Sequence, residues 1–105
     1  MSTISTHVLD TSVGQPAKNV RVRLFSGETE IGSGVTNADG RCATLLDKGT
    51  DLTTGVYRIV FEIADRFPDG FYPEVSITFA VRDSSAHYHV PLLISPFGFT
   101  TYRGS

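Results

Sequence analysis

The chain has 105 residues, 40% of them hydrophobic, and a formal net charge of -2 at pH 7. That length holds one core, so a single domain over 1–105 is expected, with the composition of a soluble globular chain and not of a disordered one. The nine basic residues are scattered, which argues against nucleic acid as a partner, and neither a membrane-length apolar run nor a signal-type start is present. The expected compartment is the cytoplasm, with a mature periplasmic form as the alternative.

No stretch keeps a helical period for three turns, whereas two-residue alternation recurs throughout. The first predicted strand covers 5–11 and carries His7. After the turn signal Gly14-Gln15-Pro16, Val20, Val22 and Leu24 alternate with Arg21 and Arg23. Ser26-Gly27 separates this run from a strand at 29–36, and Asn37-Ala38-Asp39-Gly40 separates that from one at 41–46. Tyr57, Ile59, Phe61 and Ile63 form a further dry face. Residues 64–73 have room for one helical turn at most, because Pro68, Gly70 and Pro73 interrupt them. Val75, Ile77, Phe79 and Val81 then alternate with polar neighbours. In 87–94, Tyr88, Val90, Leu92 and Ile94 are expected to fill the core, leaving His87, His89, Pro91 and Leu93 on a face that wants a partner chain. Pro91 cannot donate to a ladder and is expected at an edge or a bulge. With the closing segment, about eight short strands result, the pattern of an all-β two-sheet sandwich.

Chemistry concentrates in few places. His87 and His89 point the same way, as alternate strand residues do. With a third histidine they suit either a zinc site with an open position for water or a metal-free general base, and spacing does not choose between these. Arg41, directly after the Asp39-Gly40 turn, suits charge stabilisation at a substrate oxygen, as does Arg103. Cys42 is the lone cysteine, so no internal disulfide exists, and it reads as a small core residue. The acidic residues are dispersed, and no phosphate loop or nucleophile elbow occurs.

The run His87-Tyr88-His89-Val90-Pro91-Leu92-Leu93-Ile94-Ser95-Pro96-Phe97-Gly98-Phe99, leading into Thr101-Tyr102-Arg103-Gly104-Ser105, resembles the end of the 5-hydroxyisourate hydrolases, the transthyretin-related enzymes of purine breakdown. Ser5-Thr6-His7-Val8-Leu9-Asp10 with Gly14-Gln15-Pro16-Ala17 resembles their start. Thr36-Asn37-Ala38-Asp39-Gly40-Arg41 and Phe71-Tyr72-Pro73-Glu74-Val75 match internal landmarks. The closing Tyr-Arg-Gly-Ser is the specific part, since Gly-x-Pro-Ala with Thr-Asn-x-Asp-Gly also occurs in other β-sandwich modules.

The resemblance implies an eight-stranded transthyretin-like sandwich with at most one short helix, assembled as a homotetramer, a dimer of dimers. Its active sites would lie in a channel where the dimers meet. His7, Arg41 and His89 would be catalytic, and Tyr102, Arg103, Gly104 and Ser105 would bind substrate. No cofactor or metal is implied. The implied reaction opens the six-membered ring of 5-hydroxyisourate at a cyclic amide. The alternatives are a zinc-dependent hydrolase using three histidines and a non-catalytic small-molecule carrier on the same fold. The segment between Ile63 and Phe71 is shorter than in many relatives, where a helix sits.

Overall fold

Alternating sequence becomes two facing β-sheets. The computed structural model describes residues 3–46 and 49–105. Its strands are β1 (Thr3–Asp10), β2 (Gln15–Pro16), β3 (Arg21–Ser26), β4 (Thr29–Val35), β5 (Arg41–Cys42), β6 (Gly55–Glu62), β7 (Glu74–Val81), β8 (His87–Ser95) and β9 (Gly98–Thr101). One sheet has the order β2-β1-β8-β9, with β5 also on β1, and the other has the order β4-β3-β6-β7. β1 and β8 run parallel, and every other pair is antiparallel. The expected strand at 41–46 shrinks to the stub β5.

The core takes one side of each strand. Ile4 and Val8 of β1, Leu92 and Ile94 of β8, Val22 and Leu24 of β3, and Ile59 and Phe61 of β6 are all wholly buried. Each such side chain contributes roughly 1.5–3 kcal/mol of burial free energy. Tyr88, Val90, Leu92 and Ile94 lie on the inner face as their alternation requires, so His87 and His89 face outward.

The reading of Pro91 as an edge or bulge residue is corrected by the topology. β8 lies inside its sheet, between β1 and β9. Its ladder with β9 stops at Leu92 opposite Thr101 and resumes as a single bridge between His89 and Gly104 in the same register. Pro91, which has no N–H to give, occupies the gap. The Thr101 hydroxyl donates to the Pro91 carbonyl at 2.8 Å instead.

Residues 64–73 form turns and no assigned helix. One helical-type bond, Phe67 N–H to the Ile63 carbonyl at 3.0 Å, is all that the prolines and Gly70 allow. The segment is tied down by charge. Arg66 Nε donates to Asp10 Oδ2 at 2.8 Å, and Asp10, 3% exposed, also accepts from the Ser12 amide at 2.9 Å. Burial pushes the Asp10 carboxyl up, but the hydrogen bonds from Ser12 and Arg66 outweigh it and hold the group below the usual carboxylate value.

Candidate active site

The outward face of the β2-β1-β8-β9 sheet gathers the polar chemistry. Parallel register sets Thr3 beside His87, Ser5 beside His89 and His7 beside Pro91. On the other side of β1, Arg41 of β5 pairs with His7. On the far side of β8, Gly104 bridges to His89, its amide donating to the His89 carbonyl at 2.8 Å. Ser5, Thr6, Arg41, Ala43, His87, His89 and Ser105 line a cavity of about 330 Å³, within the range of small-molecule sites.

Arg41 is delivered by a turn that the sequence spells out. The Asn37 side-chain oxygen accepts from the amides of Asp39 and Arg41 at 2.9 and 3.0 Å, an Asx-type closure. Gly40 has φ 74°, and a Cβ there would sit 2.3 Å from the Val8 carbonyl oxygen. That carbonyl belongs to β1, so glycine is what lets the turn lie against the strand that carries His7. Thr36 fastens the turn from behind, accepting from the Val20 amide at 2.9 Å and donating to the Ala17 carbonyl at 2.6 Å.

The two imidazoles of β8 stack with centroids 6.4 Å apart. Ser5 Oγ lies between them, 2.7 Å from His89 Nδ1 and 3.1 Å from His87 Nε2. The Thr3 hydroxyl bonds His87 Nδ1 on the other side. Among the described residues His89 Nε2 has no protein partner and is free to meet a ligand. Burial lowers the His89 pKa below its ordinary value, and the neighbouring Arg41 guanidinium and the His87 and His7 rings lower it further. Both effects favour the neutral imidazole, which with its unengaged ring nitrogen is the form a general base needs.

The closing tetrapeptide divides. Ser105 lines the cavity with His89 and Arg41. Gly104 lies flat on the imidazole; a Cβ there would be 2.5 Å from His89 Cδ2 and 3.1 Å from Pro91 Cγ. Arg103 sits across from Val90, an inward residue, and its guanidinium stacks 4.7 Å from the Tyr88 ring centre. Tyr102 is 59% exposed. These two side chains border a second, largely apolar cavity of about 240 Å³ between Ile77, Phe79 and Val90. The chain thus brings His7, Arg41, His89, Gly104 and Ser105 to one face, and lays exposed Arg103 over the Tyr88 ring at the second cavity.

Among the described residues no three His, Cys, Asp or Glu side chains are placed to hold a metal. Cys42 is a core thiol whose pKa burial pushes up, which disfavours the thiolate that a nucleophile needs. Sequence reasoning missed Thr3 and Ser5. The signal was present in the alternation Thr3-Ile4-Ser5-Thr6-His7, which puts both hydroxyls on the same face as His7.

The model of the HIUase/transthyretin family matches residues 4–104. The chain belongs to that family. Within it, the chain is 40% identical to a 5-hydroxyisourate hydrolase of Ralstonia nicotianae, with 100% of both chains covered. It is 44% identical to the uric acid degradation bifunctional protein TTL of Arabidopsis thaliana, covering 97% of this chain and 37% of that longer protein. The solved 5-hydroxyisourate hydrolase of Klebsiella pneumoniae superposes with a TM-score of 0.90 at 38% identity over the full length of both chains. The family's transthyretin-like sandwich is the fold described above.

Proposed function

We propose that the protein hydrolyses 5-hydroxyisourate in urate degradation, opening the six-membered ring at a cyclic amide to give 2-oxo-4-hydroxy-4-carboxy-5-ureidoimidazoline. One observation carries this reading: a half-buried, neutral His89 with a free Nε2, set in a cavity beside Arg41, in a chain collinear with a 5-hydroxyisourate hydrolase. His89 Nε2 takes a proton from water as the water oxygen attacks the ring carbonyl carbon. The Arg41 guanidinium meets the charge that grows on the carbonyl oxygen, a role worth on the order of a hundredfold in rate. His7, paired with Arg41 across β1 and β5, orients the water or the substrate. The C–N bond then breaks, and the ring nitrogen receives a proton from His89. Positioned acid–base groups of this kind contribute roughly a hundred- to ten-thousand-fold. Gly104 and Ser105 close the wall on which the substrate rests.

The working assembly we propose is a homotetramer, a dimer of dimers. Two features support it. β7 and β9 are edge strands of their sheets, and unpaired edges are covered or paired in stable proteins. The outward face of β8 also carries half-buried Leu93 on the same side as His89, a surface that a second pair of subunits would enclose.

The test is turnover. Purified protein added to 5-hydroxyisourate, freshly made from urate by urate oxidase, should accelerate decay of its ultraviolet absorbance. His89→Ala should abolish nearly all of this while size-exclusion chromatography shows the assembly intact. Stoichiometric binding of the substrate without any turnover would mean a carrier and end the hydrolase reading.

A further inference from the structure

Four side chains on the outward face are joined end to end: Thr3 Oγ1, the His87 ring, Ser5 Oγ and the His89 ring. Each hydroxyl has one proton to give and lone pairs to accept with, and each neutral imidazole has one N–H and one bare nitrogen. Two arrangements run in one direction through every link. In the first, His89 Nδ1–H donates to Ser5, Ser5 donates to His87 Nε2, and His87 Nδ1–H donates to Thr3. His89 Nε2 is then bare, the form of a base. In the second, every donor and acceptor is exchanged, and His89 Nε2 carries the proton, the form of an acid. We propose that Thr3, His87 and Ser5 form a proton relay behind His89, switching it between base and acid without its ever becoming charged.

This rests on the hydrolase reading above, and it supplies what that reaction needs. As water attacks, its oxygen bonds the carbonyl carbon and its proton goes to His89 Nε2. The Nδ1 proton passes to Ser5, the Ser5 proton to His87 Nε2, the His87 Nδ1 proton to Thr3, and one proton leaves from exposed Thr3 to solvent. When the C–N bond breaks, His89 Nε2–H protonates the ring nitrogen, and a proton taken up at Thr3 runs back along the same links. The product acid ionises in water, so water is added across the bond and the relay returns to its starting arrangement.

Charge explains why a relay is preferable to a plain imidazolium. His89 is half-buried and has Arg41, His7 and His87 as cationic or titratable neighbours, and burial and those neighbours all disfavour a proton held there. His87 and Thr3, in contrast, are exposed at the start of their strands, where water accepts charge at little cost. The parallel pairing makes the geometry possible, since it sets Thr3 level with His87 and Ser5 level with His89. His87, to which the family resemblance gives no role, thereby gains one as a positioning residue.

The experiment is a kinetic cycle on the full chain with Ser5→Ala, His87→Ala and the double variant, and with Ser5→Thr as the variant that keeps a hydroxyl. Breaking the relay at either link should lower kcat about tenfold or more with KM little changed, as loss of one proton-transfer element does. The double variant should lose no more than the worse single one, and Ser5→Thr should recover rate. The plot of kcat against the deuterium fraction of the solvent should bow for the wild type and become linear for Ser5→Ala. Unchanged kcat in Ser5→Ala, losses that multiply in the double variant, or a plot still bowed in Ser5→Ala each overturn the relay. Absence of turnover in the wild type rejects the hydrolase reading instead. In that case nitrogen-15 NMR of the His89 ring still decides the relay: Ser5→Ala should change the Nδ1 shift, and an unchanged shift overturns it.

Discussion

Gly104→Ala isolates how the imidazole of His89 is held. Gly104 lies in ordinary extended backbone, so alanine imposes no dihedral penalty there. What it adds is a methyl group 2.5 Å from His89 Cδ2 and 3.2 Å from His89 Cγ. Carbon atoms pack at about 3.5–4.0 Å, so ring and methyl must separate by roughly 1 Å. If the ring moves, Nε2 leaves its line to the carbonyl carbon, and a displacement of about 1 Å costs on the order of a hundredfold, which is about 2.7 kcal/mol of transition-state stabilisation. If the closing segment moves instead, the Gly104–His89 hydrogen bond at 2.8 Å and the Arg103–Tyr88 stack go with it. These contribute only about 1 kcal/mol each, so the fold survives either way. The assay is steady-state decay of 5-hydroxyisourate absorbance beside a melting curve. Gly98→Ala serves as the control, because a methyl there meets Ser95 Oγ at an ordinary 3.6 Å. A Gly104→Ala protein with wild-type kcat and KM would refute the argument that this contact positions the base.

Three further outcomes are expected. Because burial and the neighbouring Arg41, His87 and His7 lower the His89 pKa, the acid limb of kcat/KM should fall at a pH below about 6.5, the ordinary histidine value; a pH–rate series locates it, and a limb above 6.5 contradicts the assignment. The same shift means that the unfolded chain binds the proton more readily, so the His89 contribution to stability is present above the unfolded pKa and is lost as pH falls through the folded one. Arg66→Ala should destabilise the protein by about 1–3 kcal/mol in urea unfolding, since Asp10 is left buried with Ser12 alone to meet its charge. The stabilising effect of Asp10, whose carboxyl is held low, is present above about pH 3.9 and lost in stronger acid, so the gap between Arg66→Ala and the wild type should narrow there. Gly40→Ala should lower stability and activity together, by at least 1 kcal/mol for the backbone, because its Cβ would meet the Val8 carbonyl at 2.3 Å and push Arg41 away from His7. A stable Gly40→Ala enzyme with full activity would count against that placement.

The inner faces were legible because burial imposes a period of two. Tyr88, Val90, Leu92 and Ile94 had to point one way, and His89 the other. Register was not legible, because nothing local in Thr3-Ile4-Ser5 says that these residues will lie level with His87-Tyr88-His89. The hydroxyl-to-imidazole links depend wholly on that alignment and so escaped a linear reading. Pro91 misled for a related reason: its missing N–H does mark a gap in hydrogen bonding, but the gap falls between two bonded stretches of an interior strand. Motif reading grouped Tyr102, Arg103, Gly104 and Ser105 as one unit. In space they fall into two adjacent pairs: Tyr102 and Arg103 border the apolar cavity, whereas Gly104 and Ser105 lie at His89.

The parallel pairing of β1 with β8 has a consequence for how the protein comes into being. Thr3 meets His87 at a sequence separation of 84, among the longest loops this chain is able to close, and non-local pairing of this kind slows folding. A ribosome that has released β1 through β7 has produced every strand of the second sheet and no active site at all. His7 on β1 and Arg41 on β5 then wait beside an open flank of β1 that is a template for wrong partners as well as the right one. The arrival of β8 therefore does three things in one step: it seals the exposed flank of β1, completes the core, and creates the catalytic centre. A molecule of this protein gains its activity and its protection from misassembly at the same moment.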